Sequence, residues 1–386
     1  MPDGRKGSHR RQGATLVLVA MAMITVGTVA ALAIDLGMLF KARSDAQRAA
    51  EAGALAGASA FVDFALGNAV DVDSVAGARA NQYAESNGIL NVAVTAAEDS
   101  FEVITDSQKV RVWVRREQVG TWFAKLLGVS SVPIGAKAAA VAVSASSGGC
   151  TKPIAVPDTW RENGDDTNGD QLEEDGETWT YTPGPDTYDT GNPDTPASGA
   201  GYGSNVRDDG TYLNDLGRPL TLKLPDPAAT TPNLGPRQFL PFSISGNPND
   251  YRDELSGCGD AVNLGTPYDL LPPSTQTPVS TQEVVDSLVN QADPGAHWDP
   301  QTKTIQGSAF GDWRSSPRTI KFGLFDPVQL VPGQTQVTLN NIGLMFLEGY
   351  DPTLNALTGR FLYFASGTGD PIAGSGTLIK RLRLVE

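Results

Sequence analysis

The chain has 386 residues, 40% apolar and 19% charged, which supplies enough apolar material for packed cores and excludes wholesale disorder. Its 29 Lys and Arg stand against 44 Asp and Glu, a net charge of −15, so phosphate backbones repel it and nucleic acid is excluded as a partner. A mean hydropathy of −0.20 excludes a multi-spanning membrane protein, and two Cys with two His are too few for a zinc-finger or iron–sulfur framework.

The first 13 residues carry Arg5, Lys6, Arg10 and Arg11 against one acid, Asp3. From Ala14 to Ile34 no residue is charged, a run of 21 positions. As a helix rising about 1.5 Å per residue it covers about 31 Å, the thickness of a bilayer's hydrocarbon layer. Residues 14–34 therefore read as one transmembrane helix. The basic tail 1–13 keeps that end in the cytoplasm and sends everything after about Asp35 to the other side. A cleaved signal peptide is the competing reading, because Ala31-Leu32-Ala33 resembles a cleavage site. Against it, the apolar stretch is longer than the usual h-region of about 7–15 residues.

Beyond the span, Leu36, Leu39, Phe40, Ala46, Ala49, Ala50, Gly53, Leu55, Ala56, Ala60 and Phe61 recur at helical spacing, with Lys41, Arg43, Asp45, Arg48 and Glu51 between them. The helix continues well past the membrane. Its apolar face is mostly Ala and Gly, with Ala49, Gly53 and Gly57 four apart; such a stripe packs either on the protein's own sheet or against a partner helix. Val72–Ser86 carries a second helical pattern that ends near Asn87-Gly88, a candidate left-handed cap. Lys109–Arg115 alternates as a half-exposed strand, Val119–Leu127 reads as a short helix closed by Gly128, and Val132–Val143 as an Ala- and Val-rich strand. The order gives an α+β module over 35–145.

Ser144–Gly149 reads as a small polar linker, and residues 146–386 as a β-rich, sandwich-like outer domain. Strands are expected at Thr319–Phe325, Thr335–Glu348, Arg360–Ala365 and Thr377–Val385. One helix is expected at Thr281–Ala292, with Ser280 and Glu283 spaced as a capping box. Pro183–Ser204 is dense in Gly, Pro, Asp, Thr and Ser and reads as an exposed loop.

Cys150 and Cys258 fall outside the membrane on this topology, where disulfides persist. A bridge would enclose 108 residues and contribute up to about 4.7 kcal/mol in the chain-entropy model. Two free buried thiols are the alternative. The strongest local motif is Asp166-Thr167-Asn168-Gly169-Asp170 followed by Glu174 and Glu177. Counted from Asp166, the oxygen donors Asp166, Asn168, Asp170, Glu174 and Glu177 take the side-chain positions of a twelve-residue calcium loop, with Leu172 offering its carbonyl. Gln171 stands where an EF-hand requires Gly, so a stand-alone calcium loop fits better than an EF-hand. Between Asp158 and Asp215 fifteen acids face only Arg161 and Arg207, a net of −13. A bound cation would relieve that repulsion, and a solvated acidic loop is the alternative.

Nucleophile elbow, P-loop, dinucleotide fingerprint and H-E-x-x-H motifs are all missing from the sequence. His297, beside Trp298, is the one histidine beyond the span and reads as a structural hydrogen-bonder. The sequence thus points to a protein that is not an enzyme and has no small-molecule substrate.

The run Arg11-Gln12-Gly13-Ala14, then Ala33-Ile34-Asp35-Leu36-Gly37, Ala42-Arg43 and Gln47-Arg48-Ala49-Ala50-Glu51-Ala52-Gly53-Ala54-Leu55-Ala56-Gly57-Ala58 resembles the N-terminal region of TadG-like proteins of the bacterial Flp (tight-adherence) pilus assembly systems. The likeness extends more loosely through Trp122-Phe123 and Gly128 to about residue 143. Cys150–Asp158 and the acidic loop are similar to extended members of that class. The resemblance implies a pilin-like α+β module and a component of a pilus or secretion apparatus. Such a component is a single-pass protein of the bacterial inner membrane with its bulk periplasmic or extracellular. Its partners would be the lipid bilayer and other pilus assembly proteins. A D-x-S-x-S metal motif is not found in this sequence, and Leu18 stands where a prepilin carries Glu, so neither integrin-like adhesion nor prepilin processing is carried over. The other function class is a calcium-dependent surface protein that binds a glycan or protein unrelated to a pilus.

Overall fold

The computed structural model describes residues 9–62, 72–92, 94, 101–104, 108–160, 162–164, 167, 181–186, 188, 202, 216–224, 238–258, 260–272, 276–329, 333–362, 368–371, 378 and 380–385, with backbone alone at 9–14, 101–103 and 368–371. Two compact units divide it. One holds Met1–Ala58, Asp73–Val141 and Leu384–Glu386; the other holds Ser59–Val72 and Ala142–Arg383. An N-terminal apolar helix followed by mixed α+β structure rich in sheet is the class expected.

In the first unit, α1 runs unbroken over His9–Ser59. No Pro interrupts it, and its many Ala, Leu and Met are strong helix formers that carry it past the β-branched Ile24-Thr25-Val26 and Thr28-Val29. The second helix, α2, spans Val72–Ser86 with the bounds expected. It ends without a left-handed glycine at 88. The positive φ angles fall instead on Leu90 (51°) and Asn91 (61°), in a turn that the mutual Ile89 and Val92 backbone bonds close at 2.9 and 3.1 Å. Strand β1 (Phe101–Ile104) pairs antiparallel with β2 (Lys109–Gly120). β2 pairs in turn with β3 (Ser131–Gly148), from Lys109↔Val141 to Gly120↔Ser131. Val110, Val112 and Val114 of β2 point inward and are buried, the alternation of a half-exposed strand. The short helix expected at 119–127 is smaller: β2 continues to Gly120, and a single 3-10 turn covers Ala124–Leu127 before Gly128 at φ 91°. The core of this unit is Ala and Val.

β3 does not stop at residue 143. It runs on through Ser144, Ala145, Ser147 and Gly148, all buried, where the sequence suggested a linker. Small side chains here reflect lack of room: a Cβ on Gly148 would sit 2.7 Å from Ile342 Cδ1 and 2.8 Å from the Thr151 hydroxyl.

The second unit is built on a mixed sheet. It contains β4 (Thr151–Pro157), β5 (Pro219–Lys223) and β6 (Leu240–Pro241), then helix α3 (Tyr251–Ser256). Next come β7 (Val262–Asn263), β8 (Pro267–Asp269) and helix α4 (Gln276–Ser287) with a π turn at Leu288–Ala292. They are followed by β9 (His297–Asp299), β10 (Thr304–Gln306), β11 (Thr319–Phe325), β12 (Gln336–Asp351), β13 (Ala356–Leu362), β14 (Thr368–Pro371) and β15 (Lys380–Leu384). The main sheet has the order β5-β13-β12-β11-β4-β6, with β8 on β12. All its ladders are antiparallel except β4 with β11.

One face buries Ile154, Phe322, Leu324, Met345 and Phe361 against Tyr251, Leu255, Val284 and Leu288 of the helices. Ile342, Leu344 and Phe346 cover the opposite face with Ala145 and Ile305, where the end of β3 and the β9–β10 hairpin lie. The sheet-on-sheet contact is therefore confined to one face. The capping box expected at Ser280 is not formed, because α4 begins four residues earlier and Ser280 lies inside it.

Candidate functional site at the end of the apolar span

Residues 15–34 of α1 carry 18 positions of mean hydropathy 2.5, and none of that window is buried. Among the described residues this is the one helix long and apolar enough to cross a bilayer. Two of its three hydroxyls are satisfied by carbonyls of the preceding turn, Thr25 Oγ1 donating to Met21 O at 2.9 Å and Thr28 Oγ1 to Ile24 O at 2.8 Å. Those two hydroxyls therefore need no water in the middle of the span.

The first charged residue after the run is Asp35, and its surroundings change at once. Its side chain is buried. Oδ1 accepts from the backbone N–H of Trp122 at 2.8 Å, and Oδ2 from those of Phe123 at 3.0 Å and Ala124 at 2.6 Å. These are the N–H groups at the start of the 3-10 turn Ala124–Leu127, which otherwise lacks a side-chain cap. The donors replace the water the carboxylate has lost. The turn is closed from below, with Thr121 N donating to Ser130 O at 3.1 Å and the Thr121 hydroxyl donating to Val129 O.

Ten residues along α1, buried Asp45 does the same for another turn. Oδ1 receives Lys41 Nζ at 2.7 Å and Arg48 Nη2, while Oδ2 accepts from the N–H of left-handed Leu90 at 3.2 Å. Arg116 Nη1 donates to Ile89 O at 2.6 Å from the β2 side. Further on, Ala49, Gly53 and Gly57 face their own module. A Cβ on Gly53 would lie 2.8 Å from Ala80 O, and one on Gly57 3.0 Å from Ala76 O and 2.8 Å from Val110 Cγ1. The stripe is filled by α2 and β2.

In the second unit Cys150 and Cys258 are bridged, with Cα atoms 4.4 Å apart. Beside the bridge, Lys152 Nζ donates to Gly257 O. Burial holds the Lys152 amine well below the usual lysine range, at about 8. Its stem lines a small apolar hollow with Ile154, Leu255, Val284 and Leu288.

The calcium-loop ligands Asp166, Asn168, Asp170, Leu172, Glu174 and Glu177 lie outside the described residues. Among the described residues no group of three His, Cys, Asp or Glu side chains is placed to hold a metal. Among the described residues, three acids flanking that loop accept hydrogen bonds from the protein itself. Asp158 Oδ1 accepts from Tyr202 N at 2.7 Å and its Oδ2 from the Tyr188 hydroxyl at 2.9 Å. Burial first, and then the Asp158 charge, pushes the Tyr188 phenol up. Asp186 accepts from Asn163 N at 3.0 Å and Thr182 N at 2.6 Å, and Glu162 from Gly164 N at 2.9 Å. Within the stretch expected to be an exposed loop, Asp186 and Tyr202 are buried, and Tyr202 stacks on Phe361 with ring centroids 4.8 Å apart.

His297 Nδ1 lies 3.0 Å from Gly295 O, the structural contact expected. A second buried polar centre escaped the sequence reading. Asp293 accepts from the Ser316 hydroxyl at 2.6 Å, the Ser308 hydroxyl at 2.7 Å and Ala309 N at 2.9 Å. Burial raises the Asp293 carboxyl, but those donors and the Arg318 charge outweigh it and hold it below the usual range. Arg318 in turn donates to Asp293 O and Ala296 O at 2.8 Å and to Leu347 O at 2.9 Å, with its guanidinium 4.4 Å from the Phe346 ring centroid.

Residues 13–60 match the Tad family, described as Flp pilus-assembly TadE/G-like, in agreement with the likeness read from the same residues. No curated protein and no solved structure matches the chain.

Proposed function

We propose that this protein is a non-catalytic structural component of a Flp/Tad-type pilus assembly, held in the inner membrane by residues 14–34. The basic tail 1–13 lies in the cytoplasm and both folded units lie beyond the membrane. The observation that carries the reading is the coincidence of the Tad match at 13–60 with α1: a bare apolar half followed by a half sunk in its own module. The contacts open to pilus partners are the span itself and the exposed surfaces of the two folded units. Cross-linking the full chain in native membranes, with mass spectrometry of what it captures, tests this. Pilus assembly proteins are expected, and their absence from captures that retain the protein refutes it. Asp35→Asn, which weakens the hold on the 122–124 turn, is expected to lower pilus formation at unchanged protein level.

The 166–177 loop is proposed to take one calcium ion with its own oxygens, since the flanking Glu162 and Asp186 already accept backbone N–H groups. Calorimetry of the full chain with and without chelator tests it. No heat of binding and no shift in melting would exclude the site.

A further inference from the structure

We propose that the turn Trp122–Val129 is a second membrane contact, an interfacial wedge that enters lipid beside the exit of α1. The height of the turn is fixed by Asp35, the residue directly after the 21 uncharged positions. Cα–Cβ bonds in a helix tilt toward its N-terminus, so the Asp35 carboxylate leans toward the span. The N–H groups of residues 122–124 lie 2.6–3.3 Å from it. The turn is thus held level with the end of the apolar run.

What it presents there is apolar. Trp122 is 68% exposed, Leu126 80% and Leu127 87%, with Phe123 and Val129 also exposed. Five large apolar side chains in eight residues, around a closed and capped turn, form the kind of surface that soluble proteins do not leave in water. Trp favours the headgroup level and Leu the acyl boundary. Lys125, between the two pairs, can keep its stem among them and reach lipid phosphate with its amine. Lipid fits this surface better than a second protein because the wedge continues the bare face of residues 15–34; one medium covers both. The turn is already closed by its own backbone bonds, so insertion carries little ordering cost.

The inference rests on residues 14–34 being the anchor, and its test separates the two. The native cysteines are bridged, so a single introduced thiol can carry a nitroxide. Full-length Leu127→Cys, Ile24→Cys and Leu354→Cys are labelled and reconstituted in phosphatidylcholine/phosphatidylglycerol vesicles, and spin relaxation by oxygen and by a nickel chelate is compared. Leu127 is too exposed for its replacement to disturb packing. At 127 the label is expected to be open to oxygen and shielded from nickel, about 5–10 Å below the phosphates, with 24 deeper and 354 open to nickel. Nickel access at 127 equal to that at 354, with 24 still shielded, overturns the wedge and leaves the anchor. Shielding of 127 from both reagents identifies a protein contact and also overturns it. Nickel access at 24 removes the anchor and the wedge together.

Discussion

Lys152 gives the sharpest quantitative expectation. An amine that titrates at about 8 when folded, against 10.5 as the ordinary value, separates the two states by about 2.5 pH units, or about 3 kcal/mol at 1.36 kcal/mol per unit. Below pH 8 both states carry the proton and the folded chain bears the whole cost. Between 8 and 10.5 the unfolded lysine keeps its proton while the folded one has lost it, so the unfolded state binds more protons and stability climbs with pH. The hydrogen bond to Gly257 O favours the charged form and works against this, so the climb expected is about 1–2 kcal/mol and 3 is its ceiling. Lys152→Met keeps the stem against Ile154 and Leu255 and removes the charge. The variant is expected to be about 1–2 kcal/mol more stable than the parent at pH 7, a rise of a few degrees in Tm for a unit of this size. The gap should close by pH 10.5. Tryptophan-monitored melting of the full chain at pH 7, 8, 9 and 10.5 without added thiol reads both quantities. A gap that stays constant with pH, or a variant less stable than the parent at pH 7, refutes the argument.

Gly53→Leu forces a side chain to within 2.8 Å of Ala80 O and is expected to cost about 1–3 kcal/mol, seen as faster proteolysis of the first unit with the melting of the second unchanged. Cys258→Ser opens the bridge to Cys150 and is expected to cost about 2–4 kcal/mol in the same melting assay. Asp293→Ala leaves Arg318 buried with its carboxylate neighbour gone and is expected to cost about 3–5 kcal/mol; a change below 1 kcal/mol would show that the backbone carbonyls alone hold the guanidinium.

Long, periodic elements were legible in the sequence. α1 runs from the uncharged stretch into the Ala- and Gly-rich stretch as one helix, α2 has the bounds its pattern gave, and β11 covers Thr319–Phe325 as expected. Short elements were not, because two- to five-residue strands such as β6 and β7 and the six-residue α3 are too brief to show a period. The end of β3 departs from the expected linker because Ser, Ala and Gly signal a loop by composition, whereas here most of them are buried in a strand and Ile342 and Thr151 leave no space for a side chain at Gly148. Ser280 and Glu283 had capping-box spacing, yet Glu283 pairs with Arg252 at 2.9 Å from inside the helix. Asp35 stood out as the first charge after the span, but its partners lie 87–89 residues away. No local signal carries such a pairing.

The way α1 is fastened decides which surfaces are left for assembly. Asp35 and Asp45 hold two separate turns through backbone N–H groups, and Gly53 and Gly57 admit α2 to contact distance. The same fastening uses up the Ala/Gly stripe that an incoming helix would otherwise need. A partner approaching α1 meets the bare span between residues 15 and 34 or, beyond Asp35, an exposed face that carries Leu36, Phe40, Lys41, Arg43 and Arg48. On the proposed anchor reading, a helix arriving in the bilayer finds only residues 15–34 to pack on, and a polar partner finds the exposed Lys41, Arg43 and Arg48 of the same helix.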